Sequence, residues 1–444
     1  MDFTPHTEAD IATMLSALGL RAPGDLFAHL PPDVLVADDL GLPEPLSELE
    51  VMRHIDDLGS RNRPGLVCFA GGGIYDHHLP PVVRSLTLRP EFVTSYTPYQ
   101  AEVAQGVLQA LYEYQSMVAE LTGLPVANAS LYDGASAGLE AVNLAVGHTG
   151  RNGVWVSRGV HPHTRAIIDT FARARELEVV EHPMVGGRTV WAADAGPAPA
   201  AVVFSQPNHF GVIEDYDAAV SLAHGAGALA IAEVDPMLLG VLRTPGDAGC
   251  DIAFAEGQPL GNPMSFGGPV VGIFATTMEL LRRIPGRLVG ATLDREGRPA
   301  YTLTLRTREQ DIRREKASSN ICTNQTLNAI AAAIHLAWLG PQGLAEVGRQ
   351  SMAKARYLAA RVEAIDGVQI AVEAAFGREF PVMLPMDPHL AVEGMAERGF
   401  LAGIALSDEY PEMPGGLLVA VTEKRTRDEM DRFAATLEEV IADA

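Results

Sequence analysis

Two neighbouring stretches, ALAIAEVD (residues 228–235) and DIAFAEGQP (residues 251–259), decide the fold class of this chain. Each is a short apolar run that ends in polar or turn-forming residues, which is typical of a strand buried on both faces. Similar runs alternate along the chain with amphipathic segments that carry helix signals: GVWVSR, AAVVFS and PVVGIFAT. This alternation predicts an α/β fold with a mostly parallel sheet, in which ligands bind at the carboxyl ends of the strands.

The regions around these strands predict three parts. We expect residues 1–63 to form an N-terminal helical arm, because they are rich in proline and aspartate and offer little core. Residues 64–330 form the large α/β domain, which includes a long amphipathic helix over Tyr99–Thr122. Residues 331–444 are expected to form a linker helix and a small C-terminal α+β domain.

Composition excludes several classes of function. The 444 residues include 33 Lys and Arg against 56 Asp and Glu, a formal net charge of −23, which disfavours nucleic-acid binding. Cys68, Cys250 and Cys322 are too widely spaced for a disulfide framework or a paired-thiolate site, and we expect no metal. Neither a signal peptide nor an apolar run of membrane-spanning length is present, so we expect a cytoplasmic protein without membrane association.

Three features occur in the order that a pyridoxal phosphate (PLP) site requires. Gly134, Ala135 and Ser136 open a helix, whose free N–H groups favour a phosphate. Asp235 ends a strand, where a carboxylate would pair with a pyridinium nitrogen. The next strand should then supply a lysine, but Gln258 stands there instead. An amide is not a nucleophilic amine, so the pattern predicts the fold of a PLP enzyme without its covalent anchor.

The chain has only three lysines, Lys316, Lys354 and Lys424. Arginine supplies most of its positive charge and cannot replace lysine in a Schiff base, because its guanidinium stays protonated. The layout of a large α/β domain, a linker helix and a small C-terminal domain is that of aspartate-aminotransferase-like, fold type I PLP-dependent transferases. Layout alone does not establish the chemistry.

Five runs closely resemble the glycine cleavage system P-protein family, and specifically the N-terminal (alpha) subunit of its two-subunit bacterial form. The resemblance covers essentially the whole chain. The runs are FAGGGIYDHHLPPVV (69–83), SYTPYQAEVAQGVLQALYEYQSMVAELTGLPVANASLYDGAS (95–136), FSQPNHFGVIEDY (204–216), AEGQPLGNPMSFGGP (255–269) and REKASSNICTNQ (314–325).

The resemblance implies a division of labour between two homologous subunits in an α₂β₂ assembly. The partner subunit would carry the PLP lysine, and its segment aligns Gln258 with that lysine because Pro263 matches the partner's proline five positions later. The implied activity is that of glycine dehydrogenase (decarboxylating): glycine loses CO₂ on PLP, and its aminomethyl group passes to the lipoyl group of the H-protein. This chain itself would bind no cofactor.

The residues of this chain that the resemblance places nearest the chemistry are Tyr96 and Tyr99, followed by the loop Gly71-Gly72-Gly73. Tyrosine hydroxyls can orient a carboxylate, and glycines allow close backbone approach to a ligand. Packing at an interface, or a tight turn, are the alternative roles for these residues. Two other functions stay open: a structural or regulatory pseudoenzyme that lends no residue to an active site, and an autonomous PLP enzyme that uses one of the three lysines.

Overall fold

The computed structural model describes residues 5–36 and 41–444. It consists of two compact units, Met1–Pro64 and Gly65–Ala444. The predicted boundary between a large and a small domain near residue 330 lies inside the second unit and stays a prediction. None of the helices in the described residues is long and apolar enough to cross a membrane.

The N-terminal unit contains helices α1 (Glu8–Ala17) and α2 (Glu48–Ser60). Both begin with a capping box, in which a Thr or Ser side chain and an acidic residue three positions later exchange hydrogen bonds with the backbone. No residue of either helix is buried. Local capping therefore supports these helices more than a hydrophobic core does.

The strands of the second unit vary from two to eight residues. Within its described residues they are β1 (Val67–Cys68), β2 (Val126–Ala127), β3 (Gly153–Ser157), β4 (Glu178–His182), β5 (Met184–Val185), β6 (Arg188–Thr189), β7 (Pro199–Gln206), β8 (Leu229–Val234), β9 (Ile252–Glu256), β10 (Gly272–Thr276), β11 (Leu288–Leu293), β12 (Pro299–Thr304), β13 (Gln369–Ile370), β14 (Glu379–Met383), β15 (Phe400–Leu401), β16 (Ile404–Ala405) and β17 (Gly416–Ala420).

Its helices cover the sheets and connect them. They are α3 (Pro81–Thr87), α4 (Pro90–Val93), α5 (Gln105–Thr122), α6 (Gly134–Thr149), α7 (Pro162–Arg175), α8 (Tyr216–Gly225), α9 (Gln310–Arg313), α10 (Thr326–Glu363), α11 (Pro388–Glu397) and α12 (Arg427–Ala442).

The central sheet has the strand order β2-β10-β9-β8-β7-β3-β4. The pairs from β9 to β4 are parallel, whereas β10 runs antiparallel to both of its neighbours. Alternate residues of β7 face opposite cores: Val202 and Phe204 face α5, α8 and α10, while Ala201 and Val203 face α6 and α7. The sheet is therefore mostly parallel and covered on both faces, as the apolar runs predict.

The C-terminal residues form a second sheet, β13-β14-β17-β16, which is antiparallel. Its core joins β14 and β17 to α12 and to the end of α10, which is interrupted at Gly340 (φ +60°). Phe69 belongs to this core, and β1 pairs with β15, so the chain enters the second unit beside its C-terminal sheet.

The predicted helix over Tyr99–Thr122 begins later than expected, at Gln105. Gln100 is extended (ψ 97°), a single 3-10 turn follows, and Ala104 is not helical (φ −120°). Val103, which the periodicity assigned to the buried face, is exposed. Tyr99 therefore lies in the irregular segment that precedes α5, rather than in its first turn.

Candidate functional site

A cavity of about 340 Å³ lies at the carboxyl ends of β8 and β9 and against the first turn of α6. Its walls also include the glycine loop and residues next to β14 of the C-terminal sheet. This is the place that parallel α/β folds reserve for ligands. The residues predicted from sequence meet here in part: Gly72, Gly73, Gly134, Ala135 and Asp235 line the cavity.

The first turn of α6 has most of its N–H groups satisfied within the chain. Asp133 is the N-cap and accepts a hydrogen bond from the Ser136 N–H at 2.7 Å. The carboxylate of Glu256 accepts from the Gly134 N–H at 3.0 Å, and also from the Gln258 N–H at 2.8 Å. Glu256 therefore occupies the end of the helix where an external phosphate would otherwise bind.

Burial raises the pKa of Glu256 to about 7, although the backbone N–H groups that it contacts lower it. Glu256 is not among the site residues predicted from the sequence. Its signal was a carboxylate at the end of an otherwise apolar strand, DIAFAE, where a charged side chain needs a partner.

Gln258 is 2% exposed and its amide is fully hydrogen-bonded. Its Oε1 accepts from the Tyr75 N–H at 2.9 Å, and its Nε2 donates to the carbonyls of Asn262 (2.8 Å) and Tyr75 (3.3 Å). Gln258 does not line the cavity. Its hydrogen bonds to the backbone of Tyr75 instead connect the end of β9 to the segment after the glycine loop.

Asp235 forms a buried ion pair with Arg378, with 2.6 Å between Oδ2 and Nε. Arg378 is 1% exposed, and its guanidinium lies 3.4 Å from the ring centre of Tyr75. The side chain of His77 contacts the same guanidinium. The carboxylate that the sequence suggested for a pyridinium nitrogen is thus neutralised by an arginine far along the chain, which no local pattern could have revealed.

The glycine loop folds over the cavity of its own chain. Gly72 has φ +64°, which favours glycine. Its N–H donates to Glu379 Oε2 at 3.0 Å, and its carbonyl accepts from His161 Nε2 at 2.7 Å. Because His161 Nδ1 accepts from the His163 N–H, the His161 ring is neutral with its proton on Nε2.

Tyr96 and Tyr99 lie outside the cavity and are 72% and 44% exposed. The hydroxyl of Tyr96 is 2.9 Å from the hydroxyl of Thr323. The hydroxyl of Tyr99 accepts a hydrogen bond from Arg287. The structure therefore brings the two predicted tyrosines to one surface, away from the glycine helix start and from Asp235.

The three lysines are all outside the cavity lining. Lys354 donates to the backbone carbonyl of Glu423, and Lys424 pairs with Asp76 at 2.5 Å. Lys316 ends a 3-10 turn that has no buried residue. None of the three lysines therefore lines the cavity, where a lysine that forms a Schiff base with PLP would have to lie.

Comparison with known proteins decides the family. A sequence profile described as "Glycine cleavage system P-protein" matches residues 1–437. The chain belongs to this family. It is 46% identical over 445 residues to the probable glycine dehydrogenase (decarboxylating) subunit 1 of Moorella thermoacetica, covering 100% of both chains. It is likewise 46% identical to the same protein of Prosthecochloris aestuarii, covering 98% of this chain and 99% of the other.

Comparison with solved structures gives the same family and the same fold. A crystal structure of glycine decarboxylase (P-protein) of the glycine cleavage system, in inhibitor-bound form, is 46% identical, with a TM-score of 0.89 over 99% of this chain and 100% of that chain. A NifS-like protein shares the fold at 12% identity, with a TM-score of 0.65 over 85% of this chain and 100% of that one. The family and the aspartate-aminotransferase-like fold predicted from the sequence are both confirmed.

Proposed function

We propose that this chain is the subunit of a cytoplasmic glycine decarboxylase that does not hold PLP. The reaction is glycine plus lipoyl-H-protein to aminomethyl-lipoyl-H-protein plus CO₂. The relatives are named glycine dehydrogenase (decarboxylating) subunit 1, which supports both the activity and a role as one of several subunits. The similarity extends over the full length of the chain, which supports assigning the same role to it.

The residues that line the cavity, and Gln258 beside it, do not fit PLP as a covalently held cofactor. Gln258 offers no amine, and Asp235 is already neutralised by Arg378. The observation that carries the proposal is the carboxyl group of Glu256 at the start of α6, because it takes the Gly134 N–H that a phosphate at this helix end would use. The three lysines, placed elsewhere, argue against an autonomous PLP enzyme.

PLP would then be held by a homologous, lysine-bearing subunit in an α₂β₂ assembly. When bound there, it withdraws electrons from the carbon that loses CO₂. In this chain the Tyr96 and Tyr99 hydroxyls would orient the glycine carboxylate or a ring substituent from across the interface. Their exposure supports this role, because a hydroxyl that serves a neighbouring site must not be buried in its own chain. The loop Gly71-Gly72-Gly73 is the next candidate.

Reconstitution with the lysine-bearing subunit and H-protein tests the proposal. We expect the chain alone to release no CO₂ from glycine and to form no borohydride-trapped PLP adduct. We expect Tyr96→Phe or Tyr99→Phe to lower turnover of the reconstituted complex about tenfold or more, while assembly and PLP content persist, because an orienting hydrogen bond is lost.

The competing functions predict different results. If both variants only weaken assembly, the chain is a scaffold that contributes no active-site residue. If the chain alone binds PLP covalently on one of its three lysines and decarboxylates glycine, the division of labour is wrong. A matched control is Tyr112→Phe, since this tyrosine packs against Tyr301 inside the same unit and should leave turnover unchanged.

A further inference from the structure

A buried arginine joins both exposed tyrosines to one short segment of backbone. Arg287 precedes β11 and is 4% exposed. One of its terminal nitrogens, Nη1, donates to the carbonyl of Cys322, and the other, Nη2, donates to the Tyr99 hydroxyl. Thr323, the next residue of that segment, holds the Tyr96 hydroxyl at 2.9 Å.

The segment itself is anchored from the opposite side. The Cys322 N–H donates to the Tyr132 hydroxyl at 3.2 Å, and the Asn324 side chain donates to the Ser130 carbonyl at 3.0 Å. Ile321 is buried in the core beneath α6. The positions of both tyrosine hydroxyls are therefore set by a segment that is attached to the rigid sheet.

Stability alone does not account for this arrangement. Removing a guanidinium from water costs free energy, and Arg287 Nε has no hydrogen-bond partner among the residues that the structure describes. The nearby carboxylate of Glu309 offsets part of that cost, since Arg287 lowers the pKa that burial of Glu309 raises. Yet one of the two hydrogen bonds of Arg287 ends on Tyr99, which is 44% exposed, so this bond orders a surface residue rather than the core.

We infer that Arg287 is a positioning residue for the reaction of the assembled enzyme. It holds Tyr99 directly, and it holds Tyr96 through the backbone of Cys322 and Thr323. A planar guanidinium can hold both acceptors in one fixed geometry, which the single ammonium of lysine cannot do. This inference rests on the proposed function and specifies how the two hydroxyls are kept in place.

The test is a double-mutant cycle in the reconstituted complex, using Arg287→Gln, Tyr99→Phe and the double variant. We expect each single variant to lower kcat about tenfold with little change in KM, and the double variant to be no slower than the slower single one. Arg287→Lys should recover part of the loss, because it restores one of the two hydrogen bonds.

Arg308→Gln is the matched control. Arg308 also donates to a backbone carbonyl, that of Ile284, and does not contact either tyrosine. We expect this variant to keep the kcat of the unmodified complex. The inference is overturned if Arg308→Gln lowers kcat as much as Arg287→Gln, or if the double variant shows the product of the two single losses.

The cycle also separates the inference from the proposed function. If Tyr99→Phe lowers turnover and Arg287→Gln does not, only the role of Arg287 is wrong. If neither Tyr96→Phe nor Tyr99→Phe changes turnover, the contribution of the tyrosines fails first, and the positioning role fails with it.

Discussion

Glu379 is a fully buried carboxyl that links the glycine loop to β14. It accepts hydrogen bonds from the Tyr75 hydroxyl at 2.7 Å and from the Gly72 N–H. Burial raises its pKa from 4.5 to about 7. The folded chain therefore holds more protons than the unfolded chain between these values, and this group makes the protein less stable as the pH rises through that window.

We predict that Glu379→Gln removes this pH dependence. The amide oxygen can still accept from the Gly72 N–H, and the amide N–H can donate to the Tyr75 oxygen, so both contacts remain although the bond to Tyr75 reverses direction. The difference in free energy of unfolding between the variant and the unmodified chain should therefore shift in favour of the variant by about 2 to 3 kcal/mol when the pH is raised from about 5 to about 8. Urea unfolding at the two pH values measures it.

Glu397→Gln, at an exposed position of α11, is the control and should show no such gain. An equal gain in both variants, or none at position 379, would mean that the carboxyl of Glu379 ionises normally in the folded chain.

A site residue could be predicted from the sequence when its role depends on its own position and not on a distant partner. Gln258 is predicted at the lysine position of the fold from the order of the strands, which stays a prediction, and the sequence has only three lysines. Arg378 and Arg287 were not predictable, because their partners, Asp235 and Tyr99, are distant in the sequence and meet them only in the folded chain. The separation of the cavity from the two tyrosines was hidden for the same reason.

At the scale of elements, the junction of α6 with β9 depends on a glycine. A Cβ at Gly134 would lie 2.7 Å from the backbone nitrogen of Glu256, a contact that a side-chain rotation cannot relieve. Gly134 was predicted to be small so that a phosphate could approach the helix start. The structure gives another reason, since the start of α6 packs directly against β9.

We predict that Gly134→Ala lowers the free energy of unfolding by about 1 to 3 kcal/mol, because the helix start must move away from β9. The control is Gly106→Ala in the first turn of α5, where nothing lies within 4 Å of the added carbon. That change should be neutral or stabilising by up to about 1 kcal/mol. Thermal or urea unfolding of both variants decides the point, and equal effects would contradict it.

Elements were predictable where periodicity and end signals agree. The parallel strands are found as expected, and α12 begins at a capping box whose spacing, Thr426 and Glu429, can be read from the sequence. The start of α5 was predicted wrongly because the spacing of Val103 fits a helix, while the backbone at Ala104 leaves the helical region. Apolar spacing locates a buried face, but it does not by itself locate the first turn.

At the scale of the whole molecule, the N-terminal unit differs from the rest in lacking buried helical residues. Phe27 and Ile55 are among its exposed apolar side chains. We predict that limited proteolysis of the isolated chain cuts first within residues 1–64 and leaves 65–444 intact, because few buried contacts oppose local opening. Mass spectrometry of the fragments identifies the sites, and a first cut inside the central sheet would contradict this.

If this chain holds no PLP, as we propose, the carboxylate of Glu256 at the helix end would also keep PLP from binding after a single substitution. A lysine restored at position 258 would still meet a helix end that already has its anion and an aspartate that already has its cation. Regaining the vitamin would take several simultaneous substitutions, each unrewarded on its own. Under the proposed function, such a chain would rely on its partner subunit for the chemistry.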